Sequence, residues 1–312
     1  MKNLEIKTMA KKILIITGVV VIAAIMFFVQ KKTSWFSSHN NLDVPLEEEM
    51  KGLDIPEAST VDIINNISSP VEIAAMIKSM GAPFTKDFLA PTDYKSKYIT
   101  SYSQAFALGI FSADLGYLNM YNKTGTVIDY LKTIKDLAND INVGQFFDFT
   151  TLKRLATNNT NLDSLKFISM HSFNQMDYSL RMRKRGSLSA LIIAGAWIEG
   201  IYITVQVAKD QPDPKLMEKI GEQKIILTDL MLLLSSYAKD PIFKNYVNEF
   251  NSIKSKFDDV NITYITGEPQ YIEENGMLTI KQTEKSVVNI TDTQLKSITE
   301  TVEGVRNRLI RM

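Results

Sequence analysis

Apolar positions recur along most of this chain at steps of three and four, the period of helices with one buried face. Val127, Leu131, Ile134, Ala138 and Ile141 form one such stripe, which Gly144 is expected to end. Phe243, Tyr246, Phe250, Ile253 and Phe257 form another. Two runs, Ile13–Val29 and Leu188–Ala208, break the pattern because they are apolar nearly all round.

Helix punctuation predicts the remaining elements. Ser69-Pro70-Val71-Glu72 reads as a capping box with proline at the first helical position, and Gly81 closes that helix. A long helix is predicted from about Thr100 to Tyr121, a short one near Phe147–Ala156, and one over 162–184 that Gly186 breaks. Asp213-Pro214 and Asp240-Pro241 each pair an acidic N-cap with a proline, opening helices 214–238 and 241–257. Between 259 and 290 the pattern turns to alternation. Gln270–Glu274 and Met277–Lys281 flank Asn275-Gly276, a two-residue hairpin turn, so a β-hairpin is predicted at about 270–281. Thr291 and Gln294 cap a final helix, 292–312, with an a/d stripe of Leu295, Ile298, Val302, Val305, Leu309 and Met312. That stripe is expected to dock on the chain's own bundle.

Leu188–Ala208 could be a second membrane span or the axis of a helical domain. Ala190, Ala194, Gly195, Ala196 and Gly200 allow neighbouring helices to come close. Gly195, Glu199, Tyr202 and Gln206 share one face, a polar seam whose acid would be costly in lipid. The reading is a buried axis. The fold class is therefore mainly α: a multi-helix bundle around a buried central helix, with a small β-hairpin before a C-terminal helix.

Ile13–Val29 reads differently. At ~1.5 Å per residue its 17 uncharged residues span ~25 Å, close to a bilayer's hydrocarbon core. Lys11, Lys12, Lys31 and Lys32 flank it, and Trp35 and Phe36 suit the outer interface. The excess of lysines before the run places the N-terminus inside. The expected organisation is a cytoplasmic tail at 1–12, a single-pass anchor at 13–30, a polar tether at 31–68 and an extracytoplasmic helical domain at 69–312. The expected location is an inner membrane, with the main domain periplasmic.

The formal net charge is zero, but the anchor region takes six lysines against Glu5, leaving 29 basic and 34 acidic residues beyond position 32. That balance argues against a nucleic-acid partner. With no cysteine and only His39 and His171, thiolate or multi-histidine metal sites and cysteine nucleophiles are excluded, and no cofactor is expected. Ser236-Tyr237-Ala238-Lys239 has the Ser-x-x-Lys spacing of acyl-serine enzymes but none of the accompanying motifs.

Candidate chemistry lies on the two core helices. Asp114, Tyr117 and Tyr121 share a face of the helix after Thr100, as Glu199, Tyr202 and Gln206 do on the central one. If Asp114 faces Glu199, the pair could bind a cation or do acid–base work. Otherwise each carboxylate satisfies tyrosines, amides, or one of Arg181 and Arg183 in the core. His171 is either a general base or pH-sensitive group, or a partly buried, hydrogen-bonded side chain. Arg181 opens the run Arg181-Met182-Arg183-Lys184-Arg185, which could bind phosphate or anionic lipid, or only suit a helix C-terminus.

Three stretches together resemble an uncharacterised family of helical, membrane-tethered bacterial cell-envelope proteins. They are Ser69-Pro70-Val71-Glu72 leading to Gly81-Ala82-Pro83, Leu108-Gly109 followed by Ala113-Asp114-Leu115, and Ala194-Gly195-Ala196-Trp197-Ile198-Glu199-Gly200-Ile201-Tyr202. The resemblance spans roughly 67–311. It implies an extracytoplasmic helical domain tied to a membrane and carries no activity and no catalytic residue. Relatives of this kind often look lipid-anchored through a cysteine, whereas this chain carries Ile13–Val29 instead. The function expected is a binding or scaffolding module for an envelope protein or small ligand. The alternative is an envelope enzyme using Asp114 and Glu199 as an acid–base or cation-binding pair.

Overall fold

A computed structural model describes residues 70–158, 162–266, 270–274, 277–281 and 284–311. The anchor and tether expected over 1–68 lie outside the described residues, as do Asn275-Gly276 and the last residue of the heptad stripe. The described chain is a helical bundle: α1 (Pro70–Ser79), α2 (Ser101–Met120), α3 (Thr124–Asp140), α4 (Phe149–Asn158), α5 (Leu162–Met182), α6 (Gly186–Asp210), α7 (Pro214–Ser235), α8 (Pro241–Phe257) and α9 (Asp292–Leu309). Short 3-10 turns at Lys86–Phe88 and Thr92–Lys97 join α1 to α2.

Three of the predicted caps are in place, while Ser69, which heads the fourth, lies outside the described residues. Asp213 accepts from the Lys215 and Leu216 N–H groups at 2.8 and 3.3 Å, and Asp240 from those of Ile242 and Phe243 at 2.8 and 3.1 Å. Thr291 and Gln294 cap α9 reciprocally. Gly81, at φ +77°, follows the end of α1.

The expected terminators of α3 and α5 are corrected. Asn142 and Lys184 take the left-handed conformation (φ 58°), as does Asn122 after α2. After each, the next N–H reaches back across the last turn: Lys123 to Leu118, Val143 to Ala138 and Arg185 to Leu180. This six-to-one closure satisfies the last carbonyls, which is why the helices stop before Gly144 and Gly186. Gly186 instead begins α6, where a Cβ would lie 2.4 Å from the Tyr237 hydroxyl oxygen.

α6 is the axis. It is long and apolar enough to cross a bilayer, yet its most apolar window is 94 % buried by neighbouring helices. Glycine sets its closest approach to α2. A Cβ on Gly195 would sit 2.1 Å from the Phe106 carbonyl oxygen, and one on Gly109 would sit 2.0 Å from that of Ile192. The two backbones therefore touch. Tyr102 lies beside Ser187, Ile110 beside Gly195 and Asp114 beside Glu199, all at one sequence offset, so α2 and α6 run parallel and in register.

Aromatic packing fills the space towards α8, with Phe106 against Tyr246 and Phe250, and Trp197 against Phe250. The Trp197 indole N–H donates to Gln223 of α7 at 2.9 Å. α9 docks within the chain as expected, with Ile298, Val302, Val305 and Leu309 buried against α6 and α8.

The β region extends beyond the predicted hairpin. β2 (Gln270–Glu274) and β3 (Met277–Lys281) pair antiparallel, and β1 (Asn261–Thr266) pairs with β4 (Glu284–Asn289) outside them. Three residues separate β1 from β2 and two separate β3 from β4, so the ladders are offset by one position. The hairpin is held to α7 at its base. Val288 fills the notch at Gly221, and the Lys224 ammonium donates to the Asp258 and Val260 carbonyls at 2.7 and 2.8 Å.

Candidate functional site

The parallel register of α2 and α6 carries Asp114 and Glu199 to one point, and both are fully enclosed. Neither is paired with Arg181 or Arg183, the cations expected from sequence. The counter-ion is Arg306 of α9. Its Nε donates to Glu199 Oε2 at 2.8 Å and its Nη2 to Oε1 at 2.5 Å. Nη2 also reaches the Phe88 carbonyl at 3.3 Å, and Nη1 the Asn307 side chain at 3.2 Å. The guanidinium lies over the Tyr202 ring at 4.2 Å, within cation–π range.

The chain between the two 3-10 turns closes the other side. The Ala90 N–H donates to Asp114 Oδ2 at 3.0 Å, and the Tyr130 hydroxyl donates to the Ala90 carbonyl at 2.7 Å. Tyr98 donates to the Ile310 carbonyl at 2.9 Å, fastening the end of α9 beside the same centre. Burial raises the hydroxyl pKa values of Tyr98, Tyr130 and Tyr202, which keeps Tyr98 and Tyr130 as donors in these bonds.

Asp114 Oδ1 faces no donor, although it is buried. Burial holds this carboxyl well above the usual range, and the negative Glu199 beside it pushes further. Arg306 and the Ala90 N–H act the other way and are outweighed, while hydrogen bonding to Glu199 adds to the rise. Two carboxylate oxygens cannot bond to each other without a proton. A proton on Asp114 shared with Glu199 satisfies both. Burial and the neighbouring carboxylate thus favour the neutral form of Asp114 beside the Glu199–Arg306 ion pair. Burial lowers the guanidinium's pKa, but Glu199 outweighs it and holds Arg306 above its ordinary value.

The remaining seam residues diverge. Tyr202 and Gln206 turn towards α9, Gln206 donating to Glu303 at 3.3 Å. Tyr117 and Tyr121 leave the centre for the α1–α2 connection. Tyr117 accepts from the Thr85 N–H at 3.1 Å, Tyr121 donates to the Ala82 carbonyl at 2.7 Å, and both rings pack on Phe84. The six residues therefore do not form one site: Asp114, Glu199 and Tyr202 surround Arg306, Tyr117 and Tyr121 brace the α1–α2 connection, and Gln206 bonds to Glu303.

Arg181 holds Asp177 through Nε and Nη2 at 2.9 and 2.6 Å, and Asp177 accepts from Ser189 at 2.6 Å. It thus joins α5 to α6. His171 is exposed rather than partly buried; it contacts Gln175 at 3.0 Å and stacks on Phe167.

Arg306 was missed because a strict a/d reading assigns its position to the flank of the stripe. A helix docked on a globular core buries a wider arc than a coiled-coil seam, including e positions. Thr299 and Arg306 occupy those positions, and both are buried.

Among the described residues, no three His, Cys, Asp or Glu side chains gather as a metal site. Comparison with known proteins gave no match to a family model, a curated protein or a solved structure.

Proposed function

We propose that this chain is a membrane-anchored, extracytoplasmic helical module that binds or scaffolds an envelope protein or small ligand. Its buried polar centre fixes where α9 docks on the bundle and turns over no substrate. The reading rests on the seal around Asp114 and Glu199. General acid–base catalysis requires a substrate atom within hydrogen-bond reach of the catalytic group, about 3 Å. Here the space beside both carboxylates is filled by Arg306 and the Phe88–Ala90 backbone. The anchor reading rests on the uncharged apolar run Ile13–Val29 and the lysines that flank it. The sequence resemblance to membrane-tethered envelope proteins supports the same assignment.

The convergence of two carboxylates on one proton favours a second reading, an envelope enzyme whose acid–base pair is uncovered when α9 lifts Arg306 away. One chain tests both readings. The protein has no cysteine, so Lys239→Cys introduces a single thiol on the full chain. Labelling by a membrane-impermeant reagent in intact spheroplasts is expected, and protection would overturn the topology. Adding Asp114→Asn should leave the in-cell cross-linking partners unchanged. Unchanged cross-links with loss of the cellular phenotype would support the enzyme.

A further inference from the structure

α5 is apolar on two opposite sides. Its inner side buries Met176 and Leu180. Its outer side carries Phe167, Met170, Tyr178 and Met182, with Phe167 71 % and Tyr178 57 % exposed. At about 100° per residue, these four fall on roughly a third of the helix circumference, together with His171 and Asn174. His171 extends the apolar surface, its ring parallel to that of Phe167 at 6.2 Å. The acid on the adjoining turn, Asp177, is turned inward and held by Arg181 and Ser189.

The stripe ends in cations. Arg183 and Lys184 follow Met182 directly, and both are exposed. The left-handed Lys184 and the Arg185-to-Leu180 closure hold this turn against the last residues of the helix. An exposed arc of phenylalanine, tyrosine and methionine, ending in basic side chains, has the composition of a helix lying in a bilayer interface.

We propose that the outer face of α5 rests on an anionic lipid surface, with Phe167, Met170, Tyr178 and Met182 entering the interface and Arg183 and Lys184 meeting phosphates. Charge complementarity favours lipid over a second copy of the chain, which presents the same cations and no exposed acid from this arc among the described side chains. The proposal uses the anchor of the proposed function only to keep the domain near a bilayer, through the tether read at 31–68. A tethered surface needs only weak intrinsic affinity, because its local concentration is high.

The test uses the full chain in nanodiscs of phosphatidylcholine, with or without a third of the lipid as phosphatidylglycerol. Retention in pure phosphatidylcholine discs reports the anchor and does not involve α5. Asn174→Cys places a polarity-sensitive fluorophore mid-stripe, and Lys244→Cys on α8 serves as the reference. Nitroxide-bearing lipid should quench the label at 174 more than at 244 in the anionic discs. Arg183→Gln with Lys184→Gln should reduce that quenching to the level of the reference, and Phe167→Ser with Met182→Ser should do the same. All four positions are exposed, and circular dichroism checks that the fold is kept. Equal quenching in the two lipids, or quenching indifferent to both pairs of substitutions, overturns the proposal. So does a label shielded only as protein concentration rises, which would identify a second copy as the occupant.

Discussion

Arg306 and Glu199, 107 residues apart in the chain, meet through two hydrogen bonds inside the bundle. Desolvating two charges offsets much of their attraction, so such a pair adds little net stability when intact. Its consequence is positional. α9 can dock only where its arginine reaches the carboxylate that α6 presents. Removing one partner should therefore destabilise far more than removing both. Arg306→Met should lower the unfolding free energy by about 3–5 kcal/mol, and adding Glu199→Gln should recover a large part of it. Urea unfolding of the four members of the cycle measures the coupling, and simple additivity would contradict the pairing.

Asp114 gives a pH dependence of definite sign. Its folded pKa lies above the ordinary 3.8, so the folded state binds the proton more tightly than the unfolded chain. The associated stability is fully present below that ordinary value and is lost as pH rises through the raised one. Asp114→Asn keeps a donor for Glu199 and an acceptor for the Ala90 N–H. It should flatten the decline in stability above pH ~4 and leave the protein more stable than the parent at neutral pH. Thermal melts of both proteins across that range would show it; parallel profiles would mean that Asp114 ionises freely.

One substitution should act with opposite signs at different glycines. In a helix interior Gly→Ala ordinarily gains about 1 kcal/mol. At Gly195 the new methyl would meet the Phe106 carbonyl oxygen at 2.1 Å, backbone against backbone, and Gly195→Ala should instead cost about 1–3 kcal/mol. At Gly304 the nearest atom is the flexible end of Arg308, 3.4 Å away, so Gly304→Ala should stabilise. Chemical denaturation distinguishes the two, and stabilisation at both would mean that α2 and α6 are not in contact there.

Val302 is fully buried where α9 packs on the bundle. Val302→Asp should lower the thermal midpoint without changing the mass in solution. A dimer that this substitution converts to a stable, folded monomer would assign the stripe to another copy of the chain. Multi-angle light scattering beside the melt reads both quantities.

The elements were legible because their signals are local. Asp213-Pro214, Asp240-Pro241 and Thr291-x-x-Gln294 satisfy orphan N–H groups within a turn, so sequence alone places those starts. The same holds for the burial of α6, whose apolar circumference and small residues suit the axis of a helical bundle. Helix ends were less legible. Asn and Lys in the left-handed region compete with nearby glycines, and propensity does not choose between neighbours two residues apart.

The composition of the polar centre was decided by tertiary structure. Sequence placed Asp114 and Glu199 on buried faces, and their shared spacing with the tyrosines made one continuous seam plausible. Only the parallel, glycine-tight register of α2 and α6 brings the two acids together, and only the docking of α9 selects Arg306 over Arg181 as counter-ion. Helical periodicity assigns a residue to a face, but which face of which helix lies opposite depends on backbone approach and chain reversal over a hundred residues. Local spacing carries no record of either.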